Sequence, residues 1–148
     1  MKGQRGFTLP ELLITIAITG LIVSLLGVAI YQIITVTEYG NDRMTALHEL
    51  QNAGHWVTLD GQMARTAIGG DNALVLAIPG GSSITYEVED TELLRTADES
   101  PMILAQNISD ISFSVENRVI TMTITSSPGG WANISEQGTY KVCLRPAE

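Results

Sequence analysis

Gly6-Phe7-Thr8-Leu9-Pro10-Glu11 is followed by an apolar run from Leu12 to Val36, and the reading of this stretch decides the fold. A short leader, Met1 to Gly6, carries Lys2 and Arg5 and ends in glycine. One carboxylate, Glu11, stands at the lip of a segment with no other charge until Glu38. The run from Leu12 to Thr37 exceeds the ~20 residues that a helix needs to span a bilayer. A lone carboxylate at the membrane edge is costly unless a cation meets it. The segment reads as a membrane helix that awaits a partner.

The order of residues is specific: a basic residue, Gly, Phe-Thr, a carboxylate, then an unbroken apolar helix. Arg5-Gly6-Phe7-Thr8-Leu9-Pro10-Glu11-Leu12-Leu13 resembles the class III signal of type IV pilins and pseudopilins. The resemblance covers roughly the first third of the chain. It implies that a prepilin peptidase cuts between Gly6 and Phe7, and that Phe7 becomes the new N-terminus and is N-methylated. It also implies that Glu11, fifth in the mature chain, pairs with the terminal amine of a neighbouring subunit. The implied partners are the peptidase, other pilin or pseudopilin subunits met through the N-terminal helix, and an inner-membrane assembly platform. Pro10 departs from the family, where an aliphatic residue is usual. Its missing N–H would have no partner in a first helical turn, so the departure is tolerated.

Elementary electrostatics supports the role that the resemblance gives Glu11. An ionised carboxylate in an apolar medium must find a cation or take up a proton. Cleavage at Gly6 would create such a cation on Phe7. The competing expectation is a solvated first-turn acid among lipid headgroups, favoured by the helix dipole.

A chain of 148 residues leaves room for one small soluble domain beside the helix. Net charge is −8, and loss of Lys2 and Arg5 with the leader would make it −10. No basic stripe follows the leader in the sequence, which argues against direct nucleic-acid binding. Lys2 and Arg5 should hold the N-terminus in the cytoplasm and leave the acidic remainder outside. A secretory signal peptide fits less well, because the apolar run is too long and no small-x-small site follows it cleanly. The single cysteine, Cys143, excludes an intrachain disulfide. Its strand-like setting, Tyr140 to Leu144, predicts a buried or half-buried small residue.

The pattern predicts one long helix from about Thr8 to Ala64, loosened near Tyr39-Gly40-Asn41. In its outer half Met44, Leu47, Leu50, Gly54, Val57 and Met63 form an apolar stripe between polar Asn41, Asp42, Arg43, Glu49, Gln51 and Asp60. Ile68-Gly69-Gly70-Asp71-Asn72 reads as the stop. Strands are expected at Ala73–Ile78, Ser83–Val88, Leu93–Arg95, Ile111–Val115, Ile120–Ile124 and Thr139–Leu144. The hairpin turning at Glu116-Asn117-Arg118 is the clearest, with its threonines on an exposed face. Segments 1–6, 7–37, 38–66 and 67–148 are thus expected as leader, transmembrane half-helix, amphipathic half-helix and β-rich domain. The fold class is α+β, a long helix packed on a small antiparallel sheet.

Ile84-Thr85-Tyr86-Glu87, Glu92-Leu93-Leu94-Arg95, Leu104 to Phe113 and Val119 to Ile124 resemble the J-type minor pseudopilins of type II secretion and the W-type minor pilins. Those families share a tyrosine strand, a leucine-arginine pair and an aliphatic-to-phenylalanine step into a hairpin.

Other candidate chemistry is sparse. His48 and His55 share a helix face but are too few for zinc. Asp71-Asn72 and Asp98-Glu99 lack the spaced oxygens of a calcium loop. The glycine pairs at 69–70, 80–81 and 129–130 read as turns without a phosphate-loop motif. Trp131 is either a partner anchor or the cover of a small core. Asn107-Ile108-Ser109 and Asn133-Ile134-Ser135 fit the glycosylation pattern, which is short and common by chance. No catalytic constellation, metal site or cofactor site is expected. The chain reads as a minor pilin or pseudopilin, a structural subunit of a type IV pilus or type II secretion-like filament, packed through small residues Thr15, Ala17, Thr19, Gly20, Ser24, Gly27 and Ala29. The alternative is a membrane-anchored extracytoplasmic ligand-binding domain.

Overall fold

The computed structural model describes residues 7–130 and 133–146. The chain is one long helix, α1 (Leu9–Met63), packed through its later part on antiparallel sheets in an α+β architecture. It divides into two compact units between Glu38 and Tyr39.

The first unit is helical from Leu9 onward. Its apolar side chains are exposed along the whole span, and the helix is long and apolar enough to cross a membrane. Four threonines do not break the apolar surface. Thr15, Thr19, Thr35 and Thr37 each donate their hydroxyl to the carbonyl one turn back, at 2.7, 2.7, 2.9 and 2.8 Å. Each hydroxyl is satisfied within the helix itself, as a lipid environment requires.

The second unit holds the rest of α1 and two sheets. One is a meander of β1 (Thr66–Gly69), β2 (Ala73–Ala77), β3 (Ser83–Glu89), β4 (Glu92–Ala97) and β5 (Ser100–Ala105). The other comprises β6 (Ile108–Glu116), β7 (Val119–Ser126) and β8 (Glu136–Cys143). Phe113 N–H donates to Gly70 O at 3.0 Å and Ile108 N–H to Thr91 O at 2.9 Å, which stitches the sheets together. Along β7, Ile120, Met122 and Ile124 are fully buried and Thr121, Thr123 and Thr125 half-buried, the period-two alternation of a sheet with one face in the core. Leu50, Ala53 and Val57 of α1 close that core against Leu74, Leu76, Leu93, Ile120 and Met122.

Several expectations are corrected. The helix ends at Met63, one residue short of the expected Ala64, but Thr66–Gly69, whose last two residues belonged to the expected stop, forms edge strand β1. Gly69 is there a strand residue under β6 and not a turn: a Cβ would stand 2.9 Å from the Phe113 carbonyl oxygen. Strand β5 was not foreseen, because Pro101 interrupts it. It lies at the sheet margin, where a missing N–H is tolerated. Helical structure runs unbroken through Tyr39-Gly40-Asn41. Met44 and Met63 are exposed, while Asp60, assigned to the polar face, is fully buried. Cys143 is exposed, since the alternation of β8 turns Val142 and Leu144 inward instead.

Hairpin geometry explains the strand register. Asn117-Arg118 and Asp98-Glu99 are two-residue loops whose residues all have positive φ, at 49° and 66° and at 50° and 65°. Such turns match the twist of the strands they join. The helix meets β8 at close range. A Cβ at Gly61 would lie 2.7 Å from Val142 Cγ1, and one at Gly54 would collide with the Tyr140 ring.

Candidate assembly site

The helix begins at a built cap. Leu12 N–H donates to Thr8 O at 3.1 Å, the first helical bond. Thr8 N–H and Thr8 Oγ1 both face Glu11 Oε2 at 3.5 Å, long contacts that turn the carboxylate back over the helix start. Thr8-Leu9-Pro10-Glu11 is therefore a capping box in outline, with a carboxylate three residues after the cap. Pro10 lies inside the first turn, as expected. Phe7 is 79% exposed and Glu11 is also exposed. Among the described residues Glu11 makes no ion pair. Gly6, with the cut-site backbone, and the cations Lys2 and Arg5 lie outside the described residues.

Further along the span, Gly20 and Gly27 are seven residues apart and so share one helix face. Beyond the adjoining helix backbone, neither has an atom within 4 Å of where a Cβ would stand, so a second helix could approach closely at both.

A second polar constellation, missed in the sequence, lies in the domain. Asp60 of α1 accepts two hydrogen bonds from Arg95 of β4, Nε to Oδ2 at 2.6 Å and Nη2 to Oδ1 at 3.0 Å. It also accepts one from the Tyr86 hydroxyl of β3. The Arg95 guanidinium lies 4.8 Å from the centroid of the Trp56 ring, at cation–π range. Burial, reinforced by the hydrogen bond to Asp60, pushes the Tyr86 phenol well above the usual tyrosine range. The hydrogen bonds to Asp60 raise Arg95 above its ordinary value. Every partner is satisfied, so the group is a positioning device that seats the helix on the sheet.

His48 and His55 are both exposed, and the His55 ring meets Trp56 edge-on at 6.1 Å. Among the described residues no three His, Cys, Asp or Glu side chains converge on one point. Gly80 and Gly81, with φ of 107° and 95°, form the β2–β3 turn. Trp131 lies outside the described residues.

Residues 1–27 match the family model described as the prokaryotic N-terminal methylation motif. No solved structure matches the chain. The match falls on the class III prepilin signal and fits the type IV pilin-like family, whose members are structural proteins. It indicates a substrate of prepilin peptidase that assembles with other pilins.

Proposed function

We propose that this chain is a minor pilin or pseudopilin. It is inserted with its leader in the cytoplasm and its domain outside, cut between Gly6 and Phe7, N-methylated on Phe7, and packed helix to helix in a filament or its priming complex. The observation that carries the reading is the methylation-motif match over residues 1–27, continued by a helix whose apolar surface is bare. Glu11 supports it, being exposed and held only by long contacts at the helix start. The terminal amine of a neighbour would replace those contacts by a charge-assisted bond and so favour one register. Gly20 and Gly27 would let the neighbouring helix approach. The minor role draws support from Tyr86 and Arg95, two residues of the sheet resemblance, which meet on Asp60.

The test is the intact mass and N-terminal sequence of the protein from its native membrane. The expected species begins at Phe7 and carries one added methyl group. A chain that still begins at Met1 would sink the reading. Glu11→Gln and Glu11→Val should then be processed normally but fail to enter filaments. Unchanged incorporation would remove the pairing mechanism.

A further inference from the structure

The sequence scatters its basic residues, but the fold gathers four of them. Arg145 N–H donates to Ala64 O at 3.0 Å, beside Arg65. Leu144 N–H donates to Arg118 O at 2.8 Å, and the Arg118 guanidinium caps Arg145 O. Lys141 stands opposite Thr121, two residues from the Val119–Cys143 pair. Arg65, Arg118, Lys141 and Arg145 are all exposed, and among the described residues none has an ion-pair partner. Glu116 is the acid in the same turn. The other two cations of the domain are engaged elsewhere: Arg43 with Glu136 at 3.0 Å, and Arg95 with Asp60.

The β3–β4 hairpin is the opposite case. Glu87, Glu89, Asp90 and Glu92 crowd its tip, and Glu89 is paired directly across from Glu92. Like charges opposed on neighbouring strands destabilise a hairpin unless a cation offsets them. Ile108, the first residue of β6, bonds Thr91 of this tip, while Arg118 lies two residues past Glu116, the last residue of β6. Tip and corner thus cap opposite ends of a nine-residue strand, a separation of roughly 26 Å. That is well beyond the screening length of ~8 Å at physiological salt, so within one chain the two patches do not neutralise each other.

We infer that the arginine corner of one copy docks on the acidic β3–β4 tip of a second copy of this chain. Arg65 and Arg145 present planar forks suited to carboxylates, while Arg118 adds its charge and braces the corner through Arg145 O. The contact joins two different patches, so it is head-to-tail and propagates unless rotation closes it. The inference goes beyond the proposed function and does not require processing at Gly6.

The test uses two differently tagged full-length copies co-expressed in membranes, with Cys143→Ser in both. One carries Thr91→Cys and the other Pro146→Cys, exposed neighbours of the two patches that leave their charges in place, and disulfide cross-linking between them is read. Arg65→Glu/Arg145→Glu in one copy should lower the cross-link at least about tenfold, as should Glu87→Lys/Glu89→Lys in the other. Combining the two reversed copies should restore it. These residues are exposed, and an unchanged melting temperature of each variant shows that it folds. A cross-link that never forms, one indifferent to both reversals, or a loss that the combination does not restore would overturn the contact. The same holds if the arginine reversals abolish only binding to phosphatidylglycerol vesicles. N-terminal sequencing of the same samples separates this failure from failure of the prepilin reading.

Discussion

Asp60 and Arg95 form a two-pronged ion pair between helix and sheet, with the carboxylate fully buried and the guanidinium side chain 14% exposed. The asymmetry sets what each substitution does. Arg95→Met leaves an uncompensated charge in the core and should cost about 3–5 kcal/mol. Asp60→Leu should cost less, because Arg95 can reach solvent. The double variant should recover most of the loss, since an apolar pair of similar volume often replaces a buried ion pair without penalty. Urea denaturation of the three full-length variants in detergent checks the order; equal losses in both single variants would contradict it.

Alkali should loosen the domain. The folded-state pKa of Tyr86 is raised by burial and by Asp60, and that of Tyr140 by burial. A tyrosine raised in the folded state holds its proton where the unfolded chain has lost it. Its contribution is therefore complete below about pH 10 and declines as pH rises above that value. Stability measured from pH 9 to 11.5 should fall, and Tyr86→Phe should flatten the slope without abolishing it. The same variant should lower stability at pH 7 by about 1–3 kcal/mol, because Asp60 loses a donor.

Glycines in the two halves of α1 should behave differently. Gly61→Ala places a methyl against Val142 and Ile120 and should cost about 1–3 kcal/mol, partly relieved by Val142→Ala. Gly20→Leu meets nothing in the chain itself. It should leave the melting temperature unchanged while reducing filament incorporation, which immunoblotting of sheared filaments would show.

Glu99 adopts φ 65° in the β4–β5 turn. Left-handed backbone costs a side-chain-bearing residue about 1–2 kcal/mol and glycine almost nothing. Glu99→Gly should therefore raise stability by about 1 kcal/mol, read as an increase in melting temperature.

Local signals made most of the architecture legible. The apolar run marked α1, alternation marked β2, β3 and β7 within a residue or two, and it marked β6 from three residues inside its start. Residues whose neighbours contradict their own preference were not legible. Gly69-Gly70 reads as a helix stop because the close passage of Phe113 that makes glycine necessary comes from 44 residues downstream. Asp60 looks like a surface acid until Tyr86 and Arg95, 26 and 35 residues away, arrive to satisfy it. The arginine corner was invisible for the same reason, since its members come from three separate segments. Met44 and Met63 fit the helical period, yet the helix packs through Ala46, Ala53, Gly54 and Gly61, whose small size lets the backbones close.

Pro101 has a consequence for the domain at high concentration. The free margin of β5 is where a foreign strand would add itself to the sheet, with Met102 and Ile103 as apolar bait. A residue without an N–H near the start of that margin spoils the ladder an invading strand would need. Crowded copies are thereby hindered from the amyloid-like route of joining through this margin.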